Sequence, residues 1–95
     1  MIITIATLIS KPEKQEDLAS MLAQLAAASR NDPGCISYAF HVDIEEPTTF
    51  RSIEMWESED QMNAHMQTPH IGAAIAAAPD MLAADIQIDS YPVSG

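Results

Sequence analysis

Glu54-Met-Trp-Glu-Ser-Glu-Asp-Gln-Met-Asn-Ala-His-Met-Gln-Thr-Pro-His-Ile71 is the stretch in which the hydrophobic period of the chain changes. Residues 49–57 alternate as a strand does, whereas Met62 and Met66 recur at the spacing of a helix. The strand ends close to Trp56, the only tryptophan in the chain. The stretch therefore predicts a strand over 49–57 that is followed directly by a helix.

Two N-cap patterns divide that helix. Ser58 and Gln61 have the spacing of a capping box, which predicts a helix that begins near residue 59. Thr68-Pro69 predicts a second start, because threonine is a good N-cap and the first helical position does not need the N–H that proline lacks. We therefore expect a broken helix over 59–78, with one histidine on each side of the break.

The rest of the chain supplies the other elements. Alternating apolar and polar residues predict three further strands, at 2–9, 35–44 and 84–91. Ser10 and Glu13 form a second capping-box pattern, so a helix should begin there and run to about Arg30. Glu45-Glu-Pro-Thr48 reads as a turn, which makes strands two and three a hairpin.

The resulting order, β-α-β-β-α-β, is the ferredoxin-like plan of the α+β class: a four-stranded antiparallel sheet with both helices on one face. We expect residues 1–95 to form a single domain, since the chain has the length of one small domain. The third strand carries large side chains on both faces. One face is therefore expected to lie under the helices and the other against a second copy of the chain in a two-fold dimer.

Composition excludes several classes of partner. The formal net charge is -10, from 14 acidic and 4 basic residues, which argues against binding to nucleic acid or to an anionic membrane. Polar residues interrupt every long apolar stretch, so no membrane span is predicted. The N-terminal residues fit a strand better than a signal peptide, and a cytoplasmic location is the default expectation. The single cysteine, Cys35, excludes an intramolecular disulfide and is expected to be a buried, inert thiol.

Motifs for phosphate and metal chemistry are absent from the sequence. The chain has three glycines, none of them in a G-x-G context, and neither a Cys-x-x-Cys nor a His-Glu-x-x-His pattern. His65 and His70 lie five residues apart with a proline between them, unlike the i, i+4 pair of a zinc-binding helix. No metal site is expected. Taken with Trp56, the two histidines instead suggest a space bordered by one indole and two imidazole rings.

Three segments resemble the antibiotic biosynthesis monooxygenase family, and in particular its small quinol monooxygenases. They are Ile53-Glu-Met-Trp-Glu-Ser58, Ala64-His-Met-Gln-Thr-Pro-His70, and Pro33-Gly-Cys35 followed by Tyr38. The resemblance implies a dimeric α/β barrel. It also implies oxygenation of a quinol or similar aromatic by O2 without flavin, haem or metal. In the haem-degrading branch the iron ligand falls near Ile75, which disfavours that activity here.

The leading interpretation is thus a cofactor-independent monooxygenase that acts on a quinol or similar phenolic aromatic. A base removes a phenolic proton, and histidine suits this role because it titrates near neutral pH. We assign proton transfer to His65 and His70, and ring stacking to Trp56. Polar contact with substrate oxygens is assigned to Ser52, Tyr38 or Arg51. Two alternatives stay open: an isomerase of a small sugar, and a non-catalytic dimeric ligand-binding or stress-response domain.

Overall fold

The computed structural model, which describes residues 1–94, has the predicted order of strands and helices. The strands are β1 (Ile2–Ile9), β2 (Cys35–Val42), β3 (Thr49–Trp56) and β4 (Gln87–Pro92). The helices are α1 (Gln15–Ser29), α2 (Glu59–His65) and α3 (Pro69–Ala77), with 3-10 turns at Pro12–Lys14 and Ala78–Asp80. Gly95, the last residue of the expected single domain, lies outside the described residues.

The four strands form one antiparallel sheet in the order β2-β3-β1-β4. The central pair β1–β3 joins Ile2 to Trp56 and Ile9 to Thr49 across the sheet. The predicted α+β, ferredoxin-like architecture is therefore confirmed. Within residues 1–94, no helix has the length and apolar character needed to cross a bilayer.

The predicted helix break is also confirmed. Ser58 accepts a hydrogen bond from the Gln61 N–H at 3.2 Å and so caps α2. Thr68 serves both helices at the break: its hydroxyl donates to the carbonyl of His65 at 2.7 Å and accepts from the Ile71 N–H at 3.4 Å. One side chain thus satisfies a terminal carbonyl of α2 and a first-turn N–H of α3.

The predicted cap at Ser10 is wrong. The Ser10 backbone donates to the Thr48 carbonyl at 2.8 Å, and the residue forms an isolated bridge with Leu82. Its buried hydroxyl has no hydrogen-bond partner in the part of the chain that the structure describes, and Lys11 instead precedes the 3-10 turn that leads into α1. Pairing along the continuation of β1 therefore overrides the local capping pattern.

Two predicted strand ends also differ from the structure. β2 ends at Val42 rather than at 44, because the Asp43 carboxylate accepts from the backbone N–H groups of Glu45 and Glu46 and closes a turn. β4 begins at Gln87 rather than at 84. Alternation alone does not distinguish a strand end from the extended residues that lead into it.

The helices cover the sheet face that carries Phe50 and Trp56. Apolar side chains from α1, α3 and this face form the main core, which contains Leu8, Leu18, Leu22, Leu25, Phe50, Ile71 and Ala74. The opposite face, here called the open sheet face, carries Ile9, Ile53 and Tyr91, which are 39%, 47% and 51% exposed. A group of exposed apolar residues on one sheet face is typical of a surface that binds another protein.

Candidate active site

A cavity of about 120 Å³ lies between the helices and the covered face of the sheet. Its lining is mostly apolar, with Tyr38, Glu54 and His65 among the few polar groups. Ile75 of α3 and Ile88 of β4 line it and are 47% and 49% exposed, so the cavity opens to the surface between these two elements. An apolar space with a few convergent polar groups is typical of a small-molecule site.

His65, the last residue of α2, provides the cavity with a titratable group. Its Nδ1 lies 2.7 Å from Oδ2 of Asp32, and Nε2 of His70 lies 2.8 Å from the same oxygen. An ionised carboxylate only accepts hydrogen bonds, so each of these two ring nitrogens carries a proton. Asp32 therefore fixes His65 in the form with hydrogen on Nδ1.

The other ring nitrogen of His65 is a buried, unpaired acceptor. With the proton held on Nδ1, the neutral ring presents a lone pair at Nε2. Among residues 1–94 this atom has no hydrogen-bond partner, although His65 is only 2% exposed. Buried polar atoms are nearly always paired, and an exception calls for an explanation. Nε2 is therefore the ring atom of His65 that is left to accept a hydrogen bond.

Asp32 is held in place by the turn that it begins. Its N–H donates to the Ser29 carbonyl at 3.0 Å, and its own carbonyl accepts from the Cys35 N–H at 3.1 Å. Gly34, in the same turn, has φ +82°, and its carbonyl accepts from the Glu57 N–H at 2.9 Å. The turn is therefore tied to both α1 and the end of β3. The sequence analysis missed Asp32; its position directly before the family's Pro-Gly-Cys segment was the available signal.

Trp56 lies beside this histidine rather than in the cavity wall. The indole is 0% exposed, and its ring centroid lies 4.7 Å from that of His65 at an interplanar angle of 35°. Its Nε1 donates to Oε1 of Glu54 at 3.1 Å. The expected hollow bordered by three rings is thus not what the structure shows, since His65 lines the cavity while Trp56 and His70 do not.

Glu54 is a second polar residue that the sequence analysis did not assign to the site. It is buried in the cavity wall, and its two oxygens accept from Ser52 Oγ at 2.7 Å and from Trp56 Nε1 at 3.1 Å. Burial raises the pKa of the Glu54 carboxyl, and the two hydrogen bonds oppose that rise. Its alternation with Trp56 on one strand face was the sequence signal for this pairing.

The remaining predicted site residues occupy three different environments. Tyr38 lines the cavity, with its ring centroid 5.3 Å from that of His65, and burial raises the pKa of its phenol well above the ordinary value. Ser52 is fully buried behind Glu54 and also accepts from the Ala6 N–H at 2.9 Å. Arg51 lies on the open sheet face, paired with Asp43 at 2.8 Å, and faces away from the cavity.

Cys35 does not take part in the cavity chemistry. Its thiol is half-buried and unbonded to another cysteine. Burial raises the pKa of this thiol, and the nearby charges of Asp32 and Glu54 raise it further. A raised pKa disfavours the nucleophilic thiolate.

Comparison with known proteins is consistent with this geometry. The sequence profile described as antibiotic biosynthesis monooxygenase matches residues 1–77. YgiN of Escherichia coli, described as a probable quinol monooxygenase, is 30% identical over 99 aligned positions, covering 93% of this chain and 95% of YgiN. An uncharacterised Synechocystis protein, sll1783, is 33% identical over 84 residues. That match covers 88% of this chain but 57% of sll1783.

Solved structures give the same result. PA3566 of Pseudomonas aeruginosa superimposes with a TM-score of 0.88 at 29% identity, over 98% of this chain and 94% of the other. A Deinococcus radiodurans protein superimposes with a TM-score of 0.95 at 28% identity, over 100% and 94% of the two chains. With the profile match covering most of its length, the chain belongs to the antibiotic biosynthesis monooxygenase family.

Proposed function

We propose that this protein is a cofactor-independent monooxygenase that oxidises a quinol or a similar phenolic aromatic with O2. Family membership and the description of YgiN support this reaction class. The observation that carries the proposal is the buried Nε2 of His65, which has no hydrogen-bond partner within residues 1–94 and belongs to a residue that lines a mostly apolar cavity. Such an atom suits a general base for a phenolic proton.

The reaction balances with the chain's own residues and O2. His65 Nε2 takes the phenolic proton, and the resulting imidazolium is stabilised by the Asp32 carboxylate 2.7 Å from Nδ1. The quinolate gives one electron to O2, and the two radicals combine to form a carbon–oxygen bond. The peroxide takes the proton back from His65. The ring carbon that carries the hydroperoxide then loses its hydrogen as a proton, the O–O bond breaks, and the released hydroxide combines with that proton to form water and leaves a carbonyl on the ring. One quinol and one O2 thus become one hydroxyquinone and one water.

The volume of the cavity constrains the substrate. An engineered protein cavity of about 150 Å³ binds benzene, so a cavity of 120 Å³ has room for a single ring at most. A two-ring quinol would have to extend through the mouth, between Ile75 and Ile88. The proposed substrate is therefore a one-ring quinol, or a larger one whose second ring occupies the mouth. The apolar lining favours such a ring over a sugar.

The same proposal includes a homodimer and a cytoplasmic location. The open sheet face carries Ile9, Ile53 and Tyr91, and two such faces packed together would bury all three residues in each chain. Light scattering should then give twice the mass of the 10.3 kDa chain. A stable monomer at micromolar concentration would contradict the dimer.

A turnover screen tests the reaction. Purified, tag-free protein should consume O2 with one-ring quinols and with menadiol, and should give no product under anaerobic conditions. Metal and flavin analysis of the same sample identifies any contribution from a cofactor. The control His41→Ala changes an exposed histidine of β2 and should leave O2 consumption unchanged. An absence of protein-dependent O2 uptake across the screen would refute the proposal, and substrate conversion without O2 would point to the isomerase.

A further inference from the structure

Asp32, His65 and His70 are arranged like the ligands of a metal ion. One ligand-type atom from each side chain lies within 4.8 Å of the other two. We propose that this group, here called the His-Asp-His cluster, binds a divalent transition-metal ion of the Zn²⁺ type, and that the bound ion switches off the base. Two imidazoles and one carboxylate are a common ligand set for such ions.

The break between α2 and α3 brings the two histidines of this cluster together. Their spacing in the sequence alone does not predict this. In a continuous helix, residues five apart point about 140° away from each other around the axis. Here His65 ends α2 and His70 lies in the first turn of α3, so both rings face one carboxylate oxygen, with centroids 5.9 Å apart. The loop residue Asp32 supplies the third ligand.

To bind a metal ion, the three ligand atoms would have to move to the distances of a tetrahedral site. Zinc bonds of about 2.0–2.1 Å in a tetrahedral site place neighbouring ligand atoms about 3.3 Å apart. In the structure the two nitrogens lie 2.7 and 2.8 Å from Asp32 Oδ2. The two nitrogen–oxygen distances would therefore lengthen by about half an ångström, and the two nitrogens, which lie within 4.8 Å of each other, would have to come to about 3.3 Å, so that three metal bonds replace two N–H···O hydrogen bonds.

Access and charge also favour a cation. The side chains of Asp32 and His70 are 12% and 26% exposed, whereas that of His65 is 1% exposed. An ion would thus approach from the solvent side of the cluster and leave the cavity free. The net charge of -10 raises the local concentration of cations around the whole protein.

A metal ion bound to His65 would change which ring nitrogen carries hydrogen, because the neutral ring has a single N–H. A metal ion on Nδ1 displaces the hydrogen there, and the neutral ring then carries its hydrogen on Nε2. Nε2 then changes from an acceptor to a donor and no longer removes a phenolic proton. This inhibition rests on the proposed function, whereas metal binding itself does not.

Calorimetric titration of the tag-free protein with Zn²⁺, in millimolar Mg²⁺ to occupy surface carboxylates, tests the site. One ion per chain is expected. Asp32→Asn and His70→Ala should each weaken binding by more than about 100-fold, since loss even of an outer-shell partner costs about 10- to 100-fold. The matched control His41→Ala should bind as the wild type does. Equal weakening in the control, or retained affinity in both cluster variants, would overturn the proposal.

Two further measurements separate the metal site from the enzyme proposal. Zn²⁺ should shift the imidazole NMR signals of His65 and His70 and leave those of His41 in place, with no substrate present. In the O2-uptake assay, Zn²⁺ should inhibit turnover over the concentration range in which it binds. Binding without any turnover in the metal-free protein would refute only the proposed reaction. Binding at His65 and His70 with undiminished turnover would refute the switch.

Discussion

Replacing Asp32 by Asn is the sharpest test of the proposal that Asp32 activates His65 as a general base. The two side chains have the same shape, but the amide offers one carbonyl and one NH2 group in place of a charged carboxylate. The variant loses the negative charge that stabilises the imidazolium. An NH2 group facing the ring would also favour hydrogen on Nε2, the atom that has to accept the proton. Both effects act on the chemical step rather than on substrate binding.

The expected loss is large. General-base catalysis contributes about 10²- to 10⁴-fold, and the equivalent Asp-to-Asn change in a serine protease triad lowers kcat by about 10⁴-fold. We therefore expect kcat to fall by about 10²- to 10⁴-fold with KM nearly unchanged, which is about 3 to 5 kcal/mol of activation free energy. Charge-assisted hydrogen bonds contribute about 1.5–3 kcal/mol each, and Asp32 accepts two of them. Because an Asn retains part of this bonding, the free energy of unfolding should fall by about 2 kcal/mol.

Initial rates of O2 uptake over a range of quinol concentrations separate kcat from KM, and chemical denaturation measures the loss of stability. The matched control is Asp43→Asn, the same substitution at a carboxylate that pairs with Arg51 on the open sheet face. Its kcat should equal that of the wild type. If Asp32→Asn keeps kcat within threefold of the wild type while remaining folded, Asp32 does not set the state of His65.

Three other changes test separate features of the structure. Gly34→Ala should lower the free energy of unfolding, measured by chemical denaturation, by at least about 1 kcal/mol. The reason is that φ +82° is strained for alanine and the new methyl group would clash with Gln61. Unchanged stability would contradict this account of the turn. Ile75→Trp should block the mouth of the cavity and raise KM for menadiol more than for a one-ring quinol, and equal effects on the two would place the entrance elsewhere. Burial raises the pKa of Glu54, so its charge destabilises the fold above that pKa and the penalty fades as pH falls through it. Denaturation from pH 7 downward should therefore show the stability of the wild type rising relative to Glu54→Gln, and a pH-independent difference would contradict the shift.

The architecture was predictable from the sequence because each element carries its own local signal. Alternation marked β3, and Ser58 and Thr68 capped the two halves of the broken helix as expected. The prediction failed at Ser10, where the same local pattern competes with a backbone hydrogen bond to Thr48, a residue far away in the sequence. A local capping pattern specifies a helix start only where the same backbone groups do not form hydrogen bonds with a distant part of the chain.

The site was less predictable, since its contacts join distant parts of the chain. Both histidines were identified, and they do lie together. Their common partner, Asp32, belongs to a turn 33 residues before His65, and no spacing rule connects the two. Trp56 was expected to contact a substrate, but the structure buries it between His65 and Glu54. The faces of a strand can be read from the sequence, whereas the boundary between core and cavity depends on how the helices pack.

Because α2 and α3 are separate helices, the placement of His70 relative to His65 depends on the angle between them. Thr68 is the joint that holds the two helical segments at a fixed angle, through one bond to each. A small rotation at this joint would swing the His70 ring relative to Asp32 while β3 and its buried indole stayed in place. The spacing between the two imidazoles therefore depends on Thr68, a residue that does not itself line the cavity.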